Sequence, residues 1–134
     1  MKYMLDTDTL IYFLKGKESV VKKLGSLSLD DIATTIINHA ELLFGAYNSL
    51  KIKSNINKIE AFLGNIPVVP FCQQSSHIFA EQKAMLKKQG TIVADLDLMI
   101  ASIAIRNGSI LVTNNTKHFI RLKKLKIDNW YDGN

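Results

Sequence analysis

The sequence predicts an α/β domain in which helices cover both faces of a mainly parallel sheet. Short apolar runs that suit buried strands alternate along the chain with segments of helical periodicity. The 134 residues suit a single domain spanning 1–134, and no linker, repeat or low-complexity tract divides them. A hydrophobic content of 47% against 22% charged residues is enough for one core and excludes a disordered chain.

Each element follows from a local pattern. The strand candidates are β-branched or apolar runs, and Pro67 and Pro70 bracket the third of them. Gly90 is a natural end for the long amphipathic helix, and Asn107-Gly108 turns the chain into the most strand-like run. The predicted strands are 3–5, 32–34, 66–69, 110–112 and, as a final edge, 127–130. The predicted helices are 9–14, 19–27, 36–50, 55–63, 74–89 and 98–105.

Asp6 stands directly after the first predicted strand. In a parallel sheet the ligand crevice lies at the carboxyl ends of the strands, so this is a position suited to function. The alternative is that Asp6 or Asp8 caps the following helix, for which Thr7 is another candidate. Position alone does not separate a functional carboxylate from a cap.

Glu41 interrupts an apolar stripe of the helix at 36–50. It lies four residues after Ile37 and three before Phe44, and Ala40 and Tyr47 continue the same helical spacing. A carboxylate on a core-facing stripe is costly unless it is paired, hydrogen-bonded or metal-bound. The alternative is that Glu41 reaches solvent at the edge of a wider stripe.

Asp97 immediately precedes the helix at 98–105, which is apolar nearly all round. The helix N-terminus favours an ionised carboxylate there, and a helix packed on the sheet would direct it toward the crevice. Asp95, two residues earlier, is the more natural N-cap, which leaves Asp97 available for another role. An N-cap role for Asp97 itself is the alternative.

Asp6, Glu41 and Asp97 come from three elements that one sheet edge could bring together. Such carboxylates would repel one another, and a divalent cation would relieve that repulsion. Oxygen ligands favour Mg²⁺ or Mn²⁺ over zinc, and such a site suits hydrolysis of a phosphodiester. The single cysteine, Cys72, excludes an internal disulfide and a multi-cysteine zinc site, and the three histidines have no zinc-ligand spacing.

The net charge of +5 is compatible with a nucleic-acid partner but is not specific for one. The densest basic run contains Arg121, Lys123 and Lys124, which could contact phosphate. The same run also fits a solvated face with Leu122 and Leu125 pointing inward. Apolar stretches too short for a bilayer, together with an early Asp6, lead us to expect a cytoplasmic protein with no membrane segment.

Four segments together resemble the PIN-domain ribonucleases, specifically the VapC-type toxins of type II toxin–antitoxin systems. Residues 4–8 (MLDTD) resemble the opening strand with its first catalytic aspartate. Residues 41–46 (ELLFGA) and 95–101 (DLDLMIA) resemble the family's two acidic helix motifs. Residues 111–119 (LVTNNTKHF) resemble the strand and turn that close the site. Each segment is weak alone, but the order and positions of the four are specific.

The resemblance implies a three-layer α/β/α domain whose central, mainly parallel sheet has about four to five strands. It implies that Asp6, Glu41 and Asp97 form the acidic metal site and that Thr113 and Asn115 support it by hydrogen bonds. The family often has a fourth acidic residue where this chain has His118. Three interpretations are open: Asp95 compensates for that change, His118 contacts substrate phosphate, or His118 is a simple surface residue.

The function implied is that of a Mg²⁺-dependent endoribonuclease, with Mn²⁺ as a possible substitute, acting as the toxin of a toxin–antitoxin pair. The implied partners are an RNA substrate, with tRNA one candidate, a cognate VapB-like antitoxin and a second copy of the chain. The apolar residues at 11–14 are a candidate antitoxin groove or simply core. The alternatives are an inactive PIN-like module that binds RNA or protein, and a phosphodiesterase or DNA nuclease.

Overall fold

A computed structural model describes residues 1–132, and across these residues five parallel strands form one sheet. The strand order is β3-β2-β1-β4-β5, and every neighbouring pair is parallel. The predicted mainly parallel sheet of four to five strands is therefore confirmed. The strands are β1 (Tyr3–Leu5), β2 (Ile32–Thr35), β3 (Val68–Val69), β4 (Ile110–Val112) and β5 (Lys126–Asp128).

The helices alternate with the strands, and each predicted helix is present with shifted ends. The helix predicted at 36–50 ends three residues earlier, and the one predicted at 55–63 begins three residues earlier. One four-residue helix was not predicted, because a single turn is too short to show periodicity. The helices are α1 (Thr7–Leu14), α2 (Glu18–Gly25), α3 (Ile36–Tyr47), α4 (Ile52–Leu63), α5 (Gln73–Lys88), α6 (Asp95–Arg106) and α7 (Thr116–Phe119). Within residues 1–132, no helix is both long and apolar enough to cross a membrane.

Alternating side chains of the strands divide the core into two layers. Tyr3 and Leu5 of β1 pack with residues from α1 to α4, whereas Met4 between them packs with residues from α5, α6 and α7. Trp130, after β5, closes the first layer and is almost fully buried. A sheet buried on both faces explains why the strands are continuous apolar runs rather than alternating ones. The arrangement is the three-layer α/β/α architecture that the resemblance implied.

The buried face of α3 is not the one predicted. Phe44 and Tyr47 are 70% and 64% exposed, whereas Asn38, Leu42 and Ala46 are buried. Apolar residues occur on both sides of α3, so their spacing could not identify the inner side. The buried polar residue Asn38 holds the helix in this orientation through hydrogen bonds described below.

The sheet topology creates a crevice between β1 and β4. The chain runs outward from β1 through β2 to β3, and then returns to the other side of β1 as β4. Leu5 and Val112 are paired at the carboxyl ends of these two strands. Ligands of open α/β sheets bind at such a reversal of strand order. The residues that follow, Asp6 and Thr113, therefore flank the expected binding crevice.

Candidate active site

Asp6 lies at the carboxyl end of β1, and its side chain is held on both oxygens. Oδ1 accepts hydrogen bonds from the Thr7 backbone N–H at 2.9 Å and from Asn38 Nδ2 at 3.0 Å. Oδ2 accepts a bond from Thr113 Oγ1 at 2.8 Å. Asp6 is also the N-cap of α1, so the predicted caps Thr7 and Asp8 were wrong. The two roles that the sequence left open, cap and buried site residue, are combined in one side chain.

The charge of Asp6 is poorly compensated by its surroundings. The residue is only 7% exposed, and burial together with the nearby negative charge of Asp8 raises its pKa from 3.8 to about 6. The hydrogen bonds from Thr113, Thr7 and Asn38 act in the opposite direction but do not offset burial. Among residues 1–132, no basic side chain forms an ion pair with Asp6, Asp8 or Glu41.

Asp8 belongs to the same cluster, although the sequence indicated it only as a possible cap. Its Oδ1 accepts a hydrogen bond from the Thr9 backbone N–H at 2.6 Å, and its Oδ2 accepts one from the Asn114 backbone N–H at 2.9 Å. Thr113 Oγ1 lies 3.4 Å from Asp8 Oδ2 while it donates to Asp6. The hydroxyl of Thr113 thus lies between two carboxylates. The D-x-D spacing of residues 6 and 8 was the available signal for this second acid.

Glu41 is connected to Asp6 through Asn38 and Thr7. Thr7 Oγ1 donates to Glu41 Oε1 at 2.6 Å, and Asn38 Nδ2 lies 2.9 Å from Thr7 Oγ1. Thr35 fixes Asn38 through a capping box at the start of α3. Glu41 itself is half-buried. The prediction that it lies on the core-facing stripe was wrong, and the alternative of a stripe-edge position describes it.

Asp97 lies in the first turn of α6, and its carboxylate is half-buried. Burial and the charge of Asp8 raise its pKa, whereas His118 acts in the opposite direction. Nε2 of His118 lies 3.1 Å from Asp97 Oδ2. His118 is therefore not the isolated surface residue that was one of its three interpretations. The structure brings it against one of the predicted metal ligands.

Asp95 does not have the capping position predicted for it. The N-cap of α6 is Ala94, and Asp95 is the first helical residue. Its exposed Oδ1 pairs with Lys83 Nζ of α5 at 2.9 Å. Residues two positions apart on a helix point in widely different directions, so Asp95 and Asp97 do not share a face. The contact with Lys83 does not support a compensating role for Asp95 in the cluster.

The loop after β4 supports the carboxylates through the Thr113 hydroxyl and through backbone N–H groups. Thr113 is fully buried, and its Oγ1 accepts a hydrogen bond from the Asn115 backbone N–H at 3.0 Å. Asn115 therefore contributes a main-chain donor, and its side chain does not cap α7. The neighbouring Asn114 was not predicted. Its backbone binds Asp8 and its side-chain Nδ2 donates to the Tyr12 hydroxyl at 3.2 Å.

The basic run after α7 faces solvent over an apolar base. Leu122 is buried, and Leu125 packs on the same core layer. Arg121 Nη1 donates to the Ile92 carbonyl at 3.1 Å, and Lys124 lies 3.9 Å from Glu81 of α5. Lys123 is exposed. The solvated-face interpretation of this run is therefore correct, and it leaves phosphate contact open as a further role.

The donor set fits a hard divalent cation. Its members Asp6, Asp8, Glu41 and Asp97 offer only carboxylate oxygens, and burial with mutual repulsion destabilises two of them in ionised form. Within the described part of the chain, however, no three acidic, histidine or cysteine side chains already converge tightly enough to hold an ion. Occupation of the site would therefore require side-chain adjustment. The chemistry of the cluster, rather than a preformed cage, indicates the cation.

The sequence model of the PIN-domain family matches residues 3–125, which is most of the chain. The chain therefore belongs to the PIN-domain family, whose nucleases depend on a divalent metal.

Within the PIN-domain family, the chain is similar to proteins of the VapC type. The chain is 36% identical over 132 residues to ribonuclease VapC2 of Rickettsia felis, covering 97% of this chain and 98% of that protein. It is 32% identical over 130 residues, with the same coverage, to the tRNA(fMet)-specific endonuclease VapC of Salmonella typhimurium. The crystal structure of VapBC2 from Rickettsia felis bound to a promoter DNA fragment contains a chain that superposes with a TM-score of 0.91. That chain is 35% identical, and the match covers 97% of this chain and 99% of that one.

Proposed function

We propose that this protein is a metal-dependent endoribonuclease of the VapC type and the toxin of a toxin–antitoxin pair. The observation that carries the proposal is Asp6, a buried carboxylate at the β1–β4 crevice with no basic partner among the described residues. Asp8 of α1 acts directly on the pKa of Asp6, Glu41 of α3 is joined to it through Thr7 and Asn38, and Asp97 of α6 lies close enough to Asp8 for that charge to raise its own pKa. The relatives named as ribonucleases and as a tRNA endonuclease support RNA as the substrate class.

Asp6 and Asp97 are proposed as the most direct ligands, with Glu41 completing the shell or orienting the attacking water. Asp8 joins this proposal because it adjoins both Asp6 and the 113–115 loop. Mg²⁺ is the proposed ion, and Mn²⁺ is a suitable substitute because both prefer oxygen ligands. When bound, the cation supplies activation of water and stabilisation of the negative charge that develops on the phosphate.

The chain's own contribution is to fix the carboxylates before substrate arrives. A carboxylate offers about four lone-pair positions, and Asp6 uses three of them for hydrogen bonds. One position thus stays available for a cation without breaking the hydrogen bonds that orient the group. Thr7 has the same function for Glu41, because its hydroxyl donates to Oε1 at 2.6 Å. Such preorganisation reduces the rearrangement needed at the moment of reaction.

Binding of RNA is proposed to involve the basic run. Arg121 and Lys123 are exposed, and the chain carries a net charge of +5. Phosphate contacts of this kind would make binding weaken as salt concentration rises. tRNA is the first substrate to test, because the relative from Salmonella typhimurium is named as specific for tRNA(fMet).

A VapB-like antitoxin is proposed to bind in a groove between α1, α3 and α4. The groove has a volume of about 430 Å³, and its wall includes Ile11, Leu14 and Leu42. Glu41 lies on the same wall, so a peptide seated there would reach the acidic site. Ile11 and Leu14 are each 37% exposed, so core packing alone does not account for apolar residues at these positions. The match to a chain of the VapBC2 complex from Rickettsia felis supports an antitoxin as the partner.

The expected homodimer is also a proposal. The outer side of α3 presents Ile37, Ala40 and Phe44 beside Leu96 of α6, around a groove of about 540 Å³. A second copy covering this face would remove exposed apolar surface from water. Light scattering on the purified chain would report the mass directly.

The deciding experiment is cleavage of total RNA and of purified tRNA with Mg²⁺ or with EDTA. Wild-type protein should give discrete fragments only with Mg²⁺, and Asp97→Asn should give none. Asp95→Asn is the matched control, because it changes an exposed acid two residues away on the same helix. Folded wild-type protein that binds RNA without cutting it would favour the inactive binding module. Equal cleavage of matched DNA would favour the broader nuclease, because selective cutting of RNA requires recognition of the 2′-hydroxyl.

A further inference from the structure

His118 places an unsatisfied ring nitrogen against the acidic site. Its Nε2 is shielded from solvent and, within residues 1–132, is the one buried side-chain nitrogen or oxygen without a hydrogen-bond partner. Asp97 Oδ2 lies 3.1 Å away, a distance suited to a hydrogen bond, but the alignment does not suit one. Buried polar atoms are nearly always satisfied, so an exception beside a carboxylate cluster calls for a functional explanation.

The imidazole is held in this place by the fold. The His118 backbone N–H donates to the Asn115 carbonyl at 3.2 Å, within the turn that leads from the Thr113 loop into α7. The next residue, Phe119, is fully buried and lies edge-on to the imidazole with ring centroids 6.1 Å apart. The loop that supports Asp6 and Asp8 thus also positions His118.

We propose that His118 is the positioning residue for Asp97 in the metal-loaded site, an inference that rests on the proposed function. Nε2–H donates to Asp97 Oδ2 when the cation engages that carboxylate, and it thereby fixes the direction of the remaining oxygen. Groups that hydrogen-bond to metal ligands commonly contribute 10- to 100-fold to metal affinity.

The opposite role makes an opposite prediction. If the imidazole only competed with the cation for Asp97, removal of His118 would strengthen metal binding. If it positions Asp97, removal weakens binding. The sign of the change in metal affinity therefore separates the two roles.

The test is Mn²⁺ binding by isothermal titration calorimetry, with the metal alone and no RNA. His118→Ala should bind Mn²⁺ about 10- to 100-fold more weakly than wild type. His118→Gln should recover most of this loss, because its amide nitrogen extends about as far from the backbone as Nε2. His118→Asn should not recover it, because its amide nitrogen corresponds in reach to Nδ1. His77→Ala on the exposed side of α5 is the control for loss of a histidine as such.

A second readout separates positioning from a general structural effect. The Mn²⁺ concentration that gives half-maximal RNA cleavage should rise in His118→Ala, while the rate at saturating Mn²⁺ approaches that of wild type. Thermal unfolding in EDTA shows whether each variant is folded. Unchanged or tighter Mn²⁺ binding by His118→Ala, or equal binding by the Gln and Asn variants, overturns the inference. Absence of Mn²⁺ binding by wild type would instead overturn the proposed metal site.

Discussion

Substitution of Asp6 by asparagine should stabilise the metal-free protein while abolishing activity. Asparagine keeps an oxygen for the Thr7 and Asn38 donors, and it caps helices as well as aspartate does. Its amide nitrogen can donate to Thr113 Oγ1, whose own hydrogen can turn toward Asp8 Oδ2, 3.4 Å away. The substitution therefore removes the buried charge and little else.

The magnitude follows from the raised pKa of Asp6. A carboxyl with a pKa of about 6 when folded and about 3.8 when unfolded costs about 3 kcal/mol of folding stability once it is ionised in both states. Because the folded state binds the proton more tightly, wild-type stability should fall as pH rises from about 4 to about 6 and then stay level. Loss of the favourable charge at the start of α1 offsets about 0.3–1 kcal/mol of the gain. The net gain above pH 6 is therefore about 2–3 kcal/mol.

Thermal unfolding in EDTA is the direct assay. At about 2.1 cal/mol/K per residue, the unfolding entropy of a chain this long converts that gain to a rise in Tm of about 7–10 °C. As the pH falls from about 6 to about 4, the wild-type Tm should approach that of the variant, because Asp6 becomes protonated and loses its buried charge. Excess Mg²⁺ should raise the Tm of wild type but not that of Asp6→Asn, because the ion binds the native carboxylate site. Asp95→Asn should leave all of these values near wild type.

An Asp6→Asn protein no more stable than wild type above pH 6, with a parallel pH profile, would refute the reasoning. It would mean that the hydrogen bonds to Asp6 already compensate its charge. The argument that the cluster needs a cation would then lose its main support.

Substitutions at three other positions test the acidic site and the proposed antitoxin groove. Asp97→Ala should abolish RNA cleavage with an unchanged circular dichroism spectrum, because Ala94 rather than Asp97 is the N-cap of α6; unfolding of this variant would indicate a structural role instead. Thr113→Val should destabilise the protein by about 1–3 kcal/mol in urea titrations, since the Asn115 N–H loses its buried acceptor and Asp6 loses a donor. Gly45→Ala should raise the free energy of unfolding by up to about 1 kcal/mol, because its added methyl meets open space and alanine favours the helix. Gly45→Arg should instead fill the groove and weaken antitoxin binding, which calorimetry would measure.

The fold was largely predictable because its parallel strands are continuous apolar runs. Runs such as 3–5 and 110–112 can be recognised as strands without knowledge of the strands beside them. Their alternation with helices implies that they pair in parallel, as they do. Helix ends and the cap of α1 were less accessible, since Asp6, Thr7 and Asp8 are all residue types that cap helices. Only the hydrogen bond from the Thr7 N–H identifies Asp6 as the cap.

The inner face of α3 was misassigned for a reason that also concerns the site. Apolar periodicity assigns polar residues to the outside, but the buried side of α3 carries Asn38, which is fully buried. Asn38 is stable there because Thr35 satisfies its oxygen and its Nδ2 lies within hydrogen-bonding distance of Asp6 and Thr7. A residue that breaks the pattern of its helix can thus be recognised only through its partners, which here lie on β2, on α1 and at the N-cap of α1. The same network joins Glu41 to Asp6, so the departure from simple patterning lies where the proposed chemistry takes place.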